Sequence, residues 1–182
     1  MRSVKILFGL SIIAATTFTS ADTDVTLIGD TEMPEAVHSE AFIQMRSMLG
    51  KWQGKLTQSS GNVVDTSSEF RLVSNGNTIT EKLIEDGVEM LTTYTDQDGE
   101  LVVKHYCALG TEPVFKVSNL TSKTLKIELD AAESNYHPGH HSFVNSMQWT
   151  PDPTDTSMVV VDATIFLNGE LQAQQTVLQR AN

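Results

Sequence analysis

The sequence predicts an all-β protein: a closed antiparallel up-and-down barrel of about ten strands with one N-terminal helix. Three observations predict it. From Lys51 onward apolar and polar residues alternate with a period of two, the strand signature. The alternating runs are separated by short turn sequences, Asn75-Gly76, Asp86-Gly87, Asp96-Gln97-Asp98-Gly99 and Asn168-Gly169, which accept the positive φ of tight hairpins. Only one segment, just before Gly50, has helical spacing. A meander of so many hairpin-linked strands removes its exposed edges by closing on itself.

The chain has 182 residues, which suits a single domain. Residues 1–21 read as a secretory signal peptide. Arg2 and Lys5 form a positive start, Ile6 to Ala15 an apolar run too short to span a bilayer, and Thr19-Ser20-Ala21 a small-residue cleavage site before Asp22. Export to the periplasm or outside the cell is therefore expected, with no membrane insertion once the signal is removed. Residues 22–35, rich in acidic residues and Thr, read as a flexible lead-in. The barrel domain is expected over 36–182. Its single cysteine allows no intrachain disulfide, so the core alone must hold it.

Within that domain, His38, Ala41, Phe42, Met45, Met48 and Leu49 recur at helical spacing. Ser39 can cap the start, Gly50 the end, and the helix is expected to lie across one end of the barrel. Trp52 belongs to the first strand. Further strands are expected at Glu69–Ser74, Thr78–Glu85, Glu89–Thr95, Glu100–Ala108, Val114–Leu120, Thr124–Leu129, Phe143–Thr150, Met158–Leu167 and Glu170–Leu178. Asp130 to His141 is the one long irregular connection.

Parity assigns the inner face. Leu125, Ile127 and Leu129 face in against Lys126 and Glu128, and Val159, Val161, Ala163 and Ile165 face in against Asp162 and Thr164. On the strand LVVKHYCALG, Leu101, Val103, His105 and Cys107 share one face and Lys104 and Tyr106 the other. With Lys104 in water, His105 and Cys107 point into the lumen, provided no bulge intervenes. Glu81 shares a face with Ile79 and Leu83, and Tyr94 with Met90 and Thr92. An inward Glu81 has a raised pKa and is suited to acid–base work or to holding His105, whereas an inward face of Lys82 and Ile84 leaves it a solvated charge; Tyr94 offers a phenol donor to the lumen or is an ordinary strand aromatic. His141 shares parity with Phe143, Met147 and Trp149.

Other readings compete. Cys107 with His105 matches a nucleophile and its base, or a packed core thiol beside a hydrogen-bonded imidazole. His137, His140 and His141, in NYHPGHH, can join His105 in a zinc or haem-iron site, or simply occupy a surface loop. Asp96-x-Asp98-Gly99-Glu100 has the look of a calcium loop but lacks the later bidentate Glu, so a hairpin turn is expected. The net charge is −11, or −13 once the two basic residues of the leader are gone. With no basic cluster to oppose it, that charge disfavours nucleic acid as a partner. No phosphate-binding glycine loop and no nucleophile elbow is present.

The middle of the chain resembles an uncharacterised family of small secreted, mostly bacterial lipocalin-like (calycin-type) barrels. The residues that carry the likeness are Trp52 and Gly54, Glu89-Met90 before Tyr94, the Asp98-Gly99 turn, His105-Tyr106-Cys107, Gly110 and Pro113, and the segment from Pro138 to Phe143. Thr111-Glu112 stands where that family has Asn-Gln. The Trp-x-Gly opening is shared by many calycins, nitrobindin-like haem barrels included. The resemblance implies the barrel and no particular reaction.

The function expected is binding of a small hydrophobic or amphipathic molecule in the lumen, oriented by His105, Glu81, Tyr94, Cys107 and His141. An enzyme using His105 with Glu81, or Cys107, is the alternative, and haem or metal binding through His105 or His141 is a third. No dedicated metal site and no cofactor other than haem is expected.

Overall fold

A computed structural model describes residues 26–181; the signal-peptide reading of residues 1–21 lies outside the described residues. Residues 26–33 form a small unit of their own. In it, β1 (Leu27–Ile28) and β2 (Thr31–Glu32) pair antiparallel around Gly29, whose φ is +64°. The sequence predicts no element there, because a two-residue strand is too short to show a period.

The second unit begins at Pro34. It contains helix α1 (Glu40–Met45), a 3₁₀ turn at Arg46–Met48, and ten strands: β3 (Gly50–Thr57), β4 (Val63–Val73), β5 (Thr78–Glu85), β6 (Val88–Gln97), β7 (Glu100–Tyr106), β8 (Val114–Leu120), β9 (Leu125–Leu129), β10 (Phe143–Pro151), β11 (Met158–Leu167) and β12 (Glu170–Arg180). Each strand pairs antiparallel with the next, and β12 pairs with β3, which closes the barrel. The closed ten-strand antiparallel barrel expected from the alternation is the architecture found. Among the described residues no helix is long and apolar enough to cross a membrane.

The tight turns form where the sequence places them. Asp86-Gly87, Asp98-Gly99 and Asn168-Gly169 all have positive φ, between 47° and 88°, and each joins two strands through a two-residue loop. Asp98-Gly99 is thus a hairpin turn.

Closure depends on Gly54. A β-carbon there would lie 1.8 Å from the carbonyl oxygen of Val177 in β12, so only glycine allows the two strands to approach.

One end of the barrel is sealed. Ser39 caps α1, its hydroxyl accepting from the Phe42 amide at 3.1 Å. The same hydroxyl and the Ser39 amide donate to the Asp96 carboxylate at 2.6 and 2.7 Å, tying the helix start to β6. Phe42 and Met45 are fully buried in the core, worth about 1.5–3 kcal/mol each. At the other end of the helical segment, Trp52 donates its indole N–H to the Met48 carbonyl at 2.6 Å. Arg180 donates to the Leu49 and Ser47 carbonyls at 2.7 and 2.8 Å and stacks over Trp52.

Strands β4 and β10 depart from expectation in ways that matter for the site. β4 begins six residues before the expected Glu69, because its first half, Val63 to Ser68, places Thr66 and Ser68 where apolar residues are usual. β10 carries a bulge at Asn145, between Val144 and Ser146. Val144 pairs with Ile165 and Met147 with Ala163, all lining the lumen, whereas Phe143 pairs with Phe166 on the outer face. There Tyr136, from the 130–142 connection, stacks on Phe143 with centroids 5.6 Å apart.

Candidate functional site

The end of the barrel away from α1 opens into a cavity of about 350 Å³. Its walls are largely apolar: Leu56, Leu83, Met90, Val161, Ile165 and Leu178 are among the side chains that line it. Trp149 also lines it, and Tyr94 packs edge-on against Trp149 at 5.9 Å. Polar groups enter this apolar chamber from β4, β5, β6 and β7.

Strand register explains how they meet. Phe70, Glu81, Thr92 and His105 are cross-strand partners in turn, so they form one row across β4 to β7. Parity puts each of them inside; Glu81 is 7% exposed and His105 3%. Glu81 accepts through Oε1 from the Ser68 hydroxyl at 2.7 Å and through Oε2 from the Tyr94 hydroxyl at 2.6 Å. Burial pushes the Glu81 carboxyl above its ordinary value of 4.5, against the opposing pull of Tyr94, Ser68 and Thr92. Burial and the neighbouring Glu81 charge hold the Tyr94 phenol well above 10, so it remains a proton donor to Glu81.

His105 is held at Nδ1 by the Thr92 hydroxyl, 2.9 Å away, which leaves Nε2 for a ligand. Burial lowers the imidazole to about 4, so it is neutral at pH 7. Glu81 and His105 do not hydrogen-bond each other. Thr92 stands between them in register, and both carboxylate oxygens are already engaged.

The five residues singled out in the sequence separate into three groups. Glu81, His105 and Cys107 line the cavity. Cys107 does so from just beyond the end of β7, not from within a strand running to Ala108. The chain turns there, the Gly110 amide donating to the Cys107 carbonyl at 3.0 Å. Burial raises the Cys107 thiol above its ordinary value of 9.0, which keeps it protonated and a poor nucleophile at neutral pH. Tyr94 points inward as parity predicts, yet it lies under Glu81 and is fully buried, so its hydroxyl serves Glu81 and does not reach the cavity.

His141 is outside the lumen. The bulge at Asn145 breaks the parity that links it to Met147 and Trp149. It is exposed in the 130–142 connection, accepts from the His137 amide at Nδ1, and packs against Tyr136. It therefore shares no site with His105. Among the described residues no group of three His, Cys, Asp or Glu side chains is placed to hold a metal ion.

Sequence reasoning missed Ser68, Thr92, Thr66 and Glu85. The parity that finds Glu81 also finds Glu85, four residues on, which lines the cavity. Burial, and then the Glu81 charge, raise its carboxyl to about 7. Thr66 is the cross-strand partner of Glu85, is 5% exposed, and its hydroxyl has no hydrogen-bond partner among the described residues. No sequence signal separates an inward threonine from an outward one in the polar run VDTSSE.

No family model and no curated protein matches the chain. Among solved structures, the barrel is similar to a protein of unknown function of the DUF3598 family from Nostoc punctiforme, with a TM-score of 0.54 and 9% sequence identity. That match covers 76% of this chain and 49% of the other, so this chain spans about half of that protein's length. Two further matches are EF1p2_mFAP2b bound to DFHBI (TM-score 0.41, 17% identity) and mFAP1, a redesigned beta barrel bound to DFHBI (TM-score 0.38, 16% identity). Each covers 78% of this chain and 100% of its own. The likeness to the DUF3598 protein shows a shared barrel fold.

Proposed function

We propose that the protein binds a small hydrophobic or amphipathic molecule in the barrel lumen, admitted at the end opposite α1. The observation that carries this reading is the cavity itself: about 350 Å³, apolar-walled, closed by the helix at one end and open at the other, with Glu81 and His105 at its polar row. A chamber of that kind, an apolar enclosure with a few convergent polar groups, is the usual form of a small-molecule site. His105 Nε2 and the Glu85 carboxylate are the groups offered to a polar end of the ligand. Cys107, with a raised thiol pKa, acts as wall and not as a nucleophile.

The test is uptake of the neutral solvatochromic dye Nile red by the intact protein and by Ala163→Trp, which fills the lumen from β11. Enhanced, blue-shifted emission with the wild type and its loss in Ala163→Trp, with the strand signal in circular dichroism unchanged, is expected. Equal dye binding by both proteins would place the dye outside the barrel and overturn the reading. We further propose that the barrel works outside the cytoplasm. The pattern of residues 1–21 supports export, and N-terminal sequencing of protein from the producing cell should begin at Asp22; a retained Met1 would refute it.

A further inference from the structure

Among the described residues, the charged side chains that line the lumen are Glu81, Glu85 and Asp86, with no Lys or Arg. The two glutamates are not equivalent. Glu81 has a hydrogen-bond donor on each oxygen. Glu85, nearer the mouth and half-buried, forms no ion pair with a cation among the described residues. Directly across from it on β4 is Thr66, whose buried hydroxyl has no partner. Buried polar side chains in folded proteins are nearly always hydrogen-bonded; the Thr66 hydroxyl is closed off from the chamber as it stands, and a turn about its Cα–Cβ bond would offer it to a ligand atom. An uncompensated carboxylate beside it specifies the sign of that atom's charge.

We infer that the lumen takes an organic cation, an alkyl or aryl amine whose ammonium group sits between Glu85 and Thr66 while its apolar body fills the chamber beneath. This rests on the lumen-binding reading above and narrows it. An ammonium has three donors and no acceptor, which matches a carboxylate and a hydroxyl carried by residues paired across two strands. The walls around that point add no competing positive charge. β6 contributes Val88 and Met90, β4 contributes Val64 and Ser68, and the titratable neighbours are Glu81 on the same strand, Asp86 in the turn and Cys107 beyond β7. Burial beside Glu81 holds the Glu85 carboxyl near 7 when nothing positive is present, which is the behaviour of a carboxylate lacking its counter-ion. An anionic amphiphile meets the same groups with the wrong sign.

Three probes with one body separate the terms: octylamine, octanol and octanoate, titrated at pH 7.5 by calorimetry and by displacement of Nile red. Octylamine is expected to bind about tenfold more tightly than octanol, the difference between a charged and a neutral hydrogen bond, with octanoate weakest. Glu85→Gln, close to isosteric, should abolish the preference for amine over alcohol, read as the ratio of the two affinities in the same variant. Thr66→Val, which keeps the shape and removes the hydroxyl, should reduce the preference several-fold. Equal affinities for octylamine and octanol, or a preference that survives Glu85→Gln, would overturn the cation site while Nile red uptake still upholds the lumen reading. If neither Nile red nor any octyl probe binds, the lumen reading and the cation site fall together.

Discussion

Tyr94 donates its hydroxyl to Glu81 Oε2 at 2.6 Å with both side chains sealed in the barrel, Tyr94 fully and Glu81 to 7% exposure. The pair joins β5 to β6 beneath the cavity floor and fixes the carboxylate that the site is built around. Tyr94→Phe removes one donor and nothing else, so it should cost about 1–3 kcal/mol in urea unfolding at pH 7. Glu81→Gln replaces the buried carboxyl with an amide of nearly the same shape. In a double-mutant cycle the two changes should couple by about 1 kcal/mol or more; additive losses would mean that the contact does not operate in solution.

Among the groups that make stability depend on pH, His105 and Glu85 act in opposite directions. His105 has its folded pKa lowered to about 4 from an ordinary 6.5, so its contribution is fully present above 6.5 and is lost as pH falls through about 4. Glu85 has its folded pKa raised to about 7 from 4.5, so its contribution is present below 4.5 and is lost as pH rises through about 7. His105→Gln should therefore flatten the stability profile between pH 6.5 and 4. Glu85→Gln should be more stable than the wild type above pH 7 by about 1–2 kcal/mol, after screening at the mouth. Chemical denaturation at four or five pH values checks both, and parallel profiles for wild type and variants would contradict the assignment.

Asp96 holds the helix on the barrel through the Ser39 amide and hydroxyl. Asp96→Ala should cost about 1–3 kcal/mol and release the start of α1. Hydrogen exchange reports this directly: amides of residues 40–45 should lose protection while those of β11 keep theirs. Unchanged protection in the helix would show that Phe42 and Met45 packing alone secures it.

Gly54→Ala places a methyl group 1.8 Å from the Val177 carbonyl oxygen. The obstacle is backbone in a paired strand, so β3 and β12 must separate. A loss of about 3 kcal/mol or more is expected, with protection lost first along the β12–β3 seam. A variant as stable as the wild type would mean that the seam is looser than the register between Leu178 and Gly54 implies.

Much of the site is legible from local pattern. The side chain of every second residue in a strand shares a face, so Lys104 in water is enough to send His105 inward; Glu81 shares the face of Ile79 and Leu83, but Ile84 on the opposite face leaves its direction open until the barrel closes. Ser68 and Thr66 are not legible, because hydroxyl residues occur on both faces of β4 and only their cross-strand neighbours distinguish them. His141 was misplaced by the same parity rule that placed His105: one extra residue, Asn145, inverts the rule, and nothing in the tripeptide Val144-Asn145-Ser146 announces it.

By itself, the sequence determined the strand period, the tight turns with their positive φ, the helix with its Ser39 cap, and the inward direction of His105; for Glu81 and Tyr94 it determined which residues share their face, and the barrel decided which face is inside. These are properties of a few consecutive residues, set by backbone sterics and by the alternation of polar and apolar side chains. Only the tertiary structure decided that β12 closes on β3 past Gly54 and that Asp96 reaches Ser39 across 57 positions. It also decided that Tyr94 serves Glu81 and that Thr66 faces Glu85 with its hydroxyl unpartnered. Those relations depend on register between distant strands, which the hydrogen-bond ladder and the closing of the barrel fix together and which no local pattern encodes.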